Sequence, residues 1–174
     1  MLDVTTRVVG VRRFWARREN LVLDPTGRPV GSATMDWIFT NAAGRPNRIP
    51  QAMERAFPVA PARTPADRMD IDDPPGDLIP SRCVVPAHEI DPRGHANNSS
   101  YLDLFEDALA GLGPDPQSRP AVYELEYLKS AVAGDTLERF VWEMPLSVAM
   151  IARVAGGTPV VRACRHSGVT PERA

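Results

Sequence analysis

The densest chemistry in this chain lies between His88 and Leu109, which reads H-E-I-D-P-R-G-H-A-N-N-S-S-Y-L-D-L-F-E-D-A-L. Asp91 and His95 stand four residues apart across Pro92, Arg93 and Gly94, and Asn97 and Asn98 follow. A carboxylate can activate water or attack a carbonyl, and an imidazole can polarise a carbonyl or pass a proton. The spacing predicts a strand ending near Ile90, a turn through Asp91–Gly94 and a helix opening at Asn97 or Asn98. Tyr101, Leu102, Phe105, Ala108, Leu109 and Leu112 recur at helical spacing, and Gly111 and Gly113 end the run. The start of such a helix carries free N–H groups and a partial positive charge, which suits an oxyanion or a carbonyl oxygen. The amides from Gly94 to Asn97 are the expected donors.

Every one of these residues also has a plainer reading. Asp91 before a proline can hydrogen-bond its own backbone as a turn residue. His95 can be a structural histidine, and Asn97 and Asn98 can be helix caps. Arg93 can pair with Asp91 and hold it ionised, or contact a phosphate. Ser130, further on, can be an ordinary strand residue. His88, Asp91 and His95 are three ligand types near one another, but a turn separates them and no further set completes a metal site, so no metal is expected.

The elements that must position this loop are mostly strands. Residues 4–40 read as two or three strands, with Asp24-Pro-Thr-Gly as a hairpin turn. After it Ala33, Met35, Trp37 and Phe39 alternate to one side, predicting a buried face that needs a cover. Eight of the eighteen prolines fall between Pro46 and Pro80, where only Gln51–Phe57 has helical character. From Arg82 the order is strand, helix, then four strands, with a loop over Pro114–Pro120. Tyr123, Leu125 and Tyr127 share one face of the first of these four, and Phe140, Trp142 and Met144 one face of the second. The expected class is α+β, an antiparallel sheet around one long helix. The expected divisions are 1–43, a Pro-rich linker 44–80, and a compact unit 81–174.

The totals exclude little. A net charge of −2 argues against a general nucleic-acid binder. Residues 1–60 hold nine arginines against five acids, and the remainder eleven basic residues against seventeen acids. That basic N-terminal part either faces an acidic partner or is a solvated strand face. Cys83 and Cys164 lack metal-ligand spacing and read as small buried hydrophobes. With no apolar run long enough to span a bilayer, a cytoplasmic protein is expected.

D-P-R-G-H-A-N-N-S-S-Y-L-D, followed by L-E-Y-L-K-S-A-V-A-G-D, resembles the acyl-ACP thioesterases, a hot-dog-fold family. V-R-R-F-W-A-R-R-E-N, then S-A-T-M-D-W-I-F-T-N and R-I-P, is similar to the later strands of that family's first repeat. The resemblance implies one complete hot-dog repeat plus the terminal strands of another, whose own first strand and helix would precede Met1. It implies a thioesterase acting on acyl-ACP or acyl-CoA in fatty acid metabolism, without a cofactor. Asp91 and His95 match the family's acid and imidazole, and Asn97 and Asn98 its paired asparagines. Arg93 stands where plant members have Asn, Ser130 where they have Glu, and Ala131 where they have Cys.

On this reading Asp91, His95 and Asn97 are catalytic, and Arg93, Gly94, Asn98, Tyr101 and Ser130 bind substrate. Thioester hydrolysis needs little beyond a carboxylate and oxyanion donors, because the thiol leaves readily as a thiolate. Arg12, Arg13, Arg17 and Arg18 are the expected contact for an acidic acyl carrier protein, and the open sheet edge predicts a homodimer. The alternative is a non-catalytic hot-dog domain that binds an acyl carrier or dimerises.

Overall fold

The structure, a computed structural model, describes residues 1–59, 68–112 and 121–167. Chain contacts divide it into two units, Met1–Asp67 and Arg68–Ala174, so the division falls inside the Pro-rich stretch. Gly113 and the expected loop Pro114–Pro120 lie outside the described residues.

The first unit is a three-stranded antiparallel meander of β1 (Asp3–Arg12), β2 (Trp15–Leu23) and β3 (Pro29–Ile38). Its second hairpin forms where expected. Asp24 Oδ1 accepts the backbone N–H of Thr26 at 2.8 Å and of Arg28 at 3.0 Å, and Gly27 takes φ +81°. The chain past β3 stays with this unit. Thr40 bridges Pro46, and Ile49, buried, donates its N–H to Arg13 O at 2.7 Å. The short helix α1 (Gln51–Ala56) follows and buries none of its residues. One expectation fails here. Met35 and Trp37, on the face predicted to be buried, are 39% and 49% exposed. A six-residue helix with no buried side chain is not an amphipathic element that could cover three strands.

The second unit is a five-stranded antiparallel sheet in the order β4-β6-β7-β8-β5, with one long helix against it. The strands are β4 (Ser81–Val84), β5 (Ala121–Tyr127), β6 (Thr136–Met144), β7 (Ser147–Val154) and β8 (Pro159–Ser167), and the helix is α2 (Asn98–Ala110). The strand expected to reach Ile90 stops at Val84. Pro86 has no N–H to extend the ladder, and a 3-10 turn occupies Ala87–Glu89. Ile90 then makes only a single bridge with Ala96.

Tyr101, Phe105 and Leu109, at helical spacing, form the buried stripe of α2. They join Leu137, Met150, Ala152, Val160, Val161 and Ala163 of the sheet in one core. The helix-facing side of β6 carries Leu137, Arg139 and Val141, so Phe140, Trp142 and Met144 face away from α2. Arg139 is tolerated there because its charge is fully engaged. Its Nη1 donates to Leu104 O at 3.2 Å and to Asp107 Oδ2 at 2.7 Å, and its Nε to Ser81 Oγ at 3.2 Å. Those bonds pin α2 to both β4 and β6. On β5, Tyr123 meets Phe105 edge-on, with ring centroids 6.3 Å apart.

Candidate active site

The loop between Ile90 and α2 is built around Asp91. Its Oδ1 accepts the backbone N–H of Arg93 at 2.8 Å and of His95 at 3.1 Å. Asp91 N–H donates to His95 O, and Gly94 N–H to Asp91 O, closing the turn, with Gly94 at φ +84°. Asp91 is thus the turn residue of the plainer reading as well as a candidate base. These bonds hold its carboxyl below the usual range, His95 N–H contributing most and Arg93 N–H next. The Arg93 guanidinium adds least, so the expected ion pair is not what keeps Asp91 charged. Asp91 is only half-buried, and its second oxygen faces no recorded donor among the described residues.

The expected oxyanion donors are not available. Besides the bonds of Gly94 and His95, Ala96 N–H donates to Ala131 O and Asn97 N–H to Glu89 O, both at 2.8 Å. Asn97 caps α2, its Oδ1 accepting Ser99 N–H at 3.2 Å while its carbonyl accepts Ser100 N–H at 3.0 Å. Among the described residues that leaves Asn98 N–H as the amide of this stretch without a partner. It sits in the first turn of α2, where the helix charge is positive. The sequence reading missed this because the partners, Glu89 and Ala131, lie on either side of the motif.

Asn98, Tyr101 and Ser130 are brought together. They line a cleft of about 160 Å³ with Ala96, Tyr127, Leu128 and Lys129. Tyr101, buried, accepts Ala131 N–H through its hydroxyl at 3.2 Å, and Tyr127 donates its hydroxyl to Asn98 O at 3.2 Å. These bonds and the Ala96–Ala131 bond lock the chain after β5 to the helix start; Ser130 lies three residues beyond the end of β5 and is not the strand residue of the plainer reading. Burial pushes both tyrosines up, so they remain neutral hydrogen-bonding groups. Asp91, Arg93 and His95 lie on the loop leading into Ala96, and the side chains of Arg93 and His95 are exposed. The sequence places Tyr127 only on a strand face and gives Lys129, the chain's single lysine, no role, so neither is expected at the site.

A second cleft, of about 230 Å³, lies under the other flank of α2 and shares Ala96 and Tyr101 with the first. Its walls are Val85, Pro86, Leu104 and Leu137, with Cys83 at the β4 side. Glu89 and Ser100 are also in its wall, hydrogen-bonded to each other through Oε2 and Oγ. Burial pushes the Cys83 thiol up, which makes it a poor nucleophile. Sequence reading assigned nothing to Glu89 or Ser100.

The four arginines expected to meet a carrier protein do not form one surface. Arg17 is bound in a fork to Asp36, at 2.8 and 2.7 Å. Arg18, its neighbour on β2, points to the opposite face of the sheet. Arg13 sits between β1 and β2 with φ +46°. Among the described residues no group of three or more His, Cys, Asp or Glu is gathered as metal ligands, and no helix is long and apolar enough to cross a membrane.

Comparison with solved structures shows the fold. The chain matches an acyl-ACP thioesterase from Bacteroides thetaiotaomicron with a TM-score of 0.73 and 20% identity, over 95% of this chain and 68% of that one. It matches a protein assigned as an oleoyl thioesterase from Lactobacillus plantarum with a TM-score of 0.76 and 19% identity, over 97% and 69%. It matches the 12:0-ACP thioesterase from Umbellularia californica with a TM-score of 0.73 and 19% identity, over 95% and 67%. No protein-family model matches the sequence, and no curated protein sequence matches it significantly. The fold is therefore the hot-dog fold expected from the motif, the fold of acyl-ACP thioesterase structures.

Proposed function

We propose that this hot-dog chain hydrolyses acyl thioesters, with Asp91 as base or nucleophile. The observation that carries the reading is the pairing of an ionised, half-exposed carboxylate with an unpartnered amide, Asn98 N–H, one loop away at the start of α2. Asp91 activates water or attacks the carbonyl carbon. Charge developing on the carbonyl oxygen is stabilised by Asn98 N–H and the positive helix end. The Oδ1 of Asn97 is committed to the cap, so its Nδ2 hydrogens are the donors it has left for the carbonyl. His95 orients the substrate or passes a proton. The thiol leaves as thiolate with little protonation.

The substrate class we assign is fatty acyl-ACP or acyl-CoA, in a cytoplasmic enzyme of fatty acid metabolism. The thioesterases that share the fold support this assignment. Arg93, standing where plant members of the resembling family have Asn, is exposed and fits a carrier phosphate better than a catalytic amide. The test is thiol release from acyl-CoA and acyl-ACP by the chain and by Asp91→Asn. Release that depends on Asp91 supports the reading. Release unchanged in the variant removes Asp91 from it.

A further inference from the structure

Two clefts among the described residues of the second unit differ in a way that orients a ligand. The larger is floored by apolar side chains, Val85, Leu104 and Leu137 among them, and carries three acids, Glu89, Asp103 and Asp107. Arg139 neutralises Asp107, which leaves the opening net negative. Lys129 is the one charged residue lining the smaller cleft, and no carboxylate lines it. The clefts meet at Ala96 and Tyr101, beside the helix start.

An amphiphile with an anionic head and an apolar tail is therefore favoured in one direction. Its head is attracted to Lys129 and repelled by the acids, while its tail gains by leaving water for the apolar floor. We infer that the cleft under α2, formed by Cys83, Val84, Leu104 and Leu137, receives the acyl chain, and that Lys129 receives the phosphate-bearing arm. This rests on the thioesterase reading for the identity of the amphiphile. It places the chain-length pocket inside the second unit rather than in the first. The scissile carbonyl then falls at the partition beside Asn98, between head and tail. Ligand pockets of this kind are mostly apolar with a few placed polar groups, as here. Glu89 and Ser100 are those groups: Ser100 Oγ–H donates to Glu89, and their remaining lone pairs can accept a hydrogen bond from a hydroxyl group on the chain.

Binding tests this independently of turnover. A fluorescent polyene fatty acid is titrated into the chain and into Leu104→Trp, which fills the cleft. Val84→Trp, at a position already 60% exposed, blocks its rim without touching the core. Affinity falling by roughly tenfold or more in both supports the pocket. No binding to the parent chain, or equal binding to the parent and Val84→Trp, overturns it. For the head, a non-hydrolysable acyl-CoA thioether is compared with the same chain on uncharged N-acetylcysteamine. Lys129→Glu weakens the first about three- to tenfold more than the second. Equal effects on both remove Lys129 from the inference. Tail binding that is lost in the blocked variants, with no hydrolysis of any thioester, would leave the pocket standing and the catalytic reading wrong.

Discussion

Asp91 does two things at once, and the two can be separated. Its Oδ1 holds the turn through Arg93 and His95 N–H, while the proposed chemistry needs its charge. Asparagine keeps the Oδ1 acceptor and removes the charge, so Asp91→Asn should fold normally and lose at least about a hundredfold in rate. The pH dependence follows from the same bonds. The folded carboxyl lies below its ordinary value of about 3.9, so its stabilising effect is complete above that value and is lost as pH falls through the lower folded one. Hydrolysis should therefore show no acid limb from Asp91 between about pH 7 and 5, because that carboxyl titrates below about 4. An acid limb centred above pH 5 in kcat/KM would identify another group as the base. Tyr101 offers a stability test, because its hydroxyl accepts the N–H of fully buried Ala131. Tyr101→Phe leaves that amide unpaired and should cost about 1–3 kcal/mol in denaturant unfolding. A loss under about 0.5 kcal/mol would show that Ala131 N–H finds another partner.

Helix α2 and the loop before it were the most legible elements, because their signals are local. Pro92, Gly94 and Asn97 name the turn and the cap by residue chemistry alone, and the stripe Tyr101, Phe105 and Leu109 names the buried face. What sequence could not supply was the partner of each amide. Ala96 bonds Ala131, thirty-five residues away, and that contact removes a donor the motif had promised. The strand into the motif is shorter than its residues suggest: Val84, Val85 and Ile90 are good strand residues, but Pro86 and the turn after it interrupt the ladder. The face of β6 that meets α2 was obscure because it carries Arg139, whose partners Leu104 and Asp107 are on α2. At this scale the cap is testable. Asn97→Ala should destabilise by about 1 kcal/mol, and Asn97→Ser should restore most of that. If Asn97→Ser also restores hydrolysis, Asn97 acts through the helix end; if stability returns without activity, its Nδ2 hydrogens contact the substrate.

For the whole molecule, the fold class followed from the order of elements, strand, helix and four strands, read together with the motif. The covering of the first unit did not. Val4, Met35 and Trp37 of its meander are all more than a third exposed, and the sequence signal for a strand face carries no information about what lies on it. β4, four residues long, is one edge of the second sheet. Short edge strands resist further pairing, so the expected homodimer would form through the exposed apolar face of the first unit rather than this edge. Light scattering should then give twice the chain mass, and Trp37→Glu should shift it to the monomer. A parent chain that scatters as a monomer would contradict that assembly.

Hydrolysis that depends on Asp91 is what would make this chain a thioesterase. The most direct measurement is thiol release from acyl-CoA and acyl-ACP thioesters of graded chain length, by the parent chain and by Asp91→Asn with its folding verified. The expected result is release by the parent, with a preference along the chain-length series, and its near-complete loss in the variant. Equal release by both proteins would contradict it. Absence of release by the parent from every thioester would instead make this a hot-dog domain that binds without turnover.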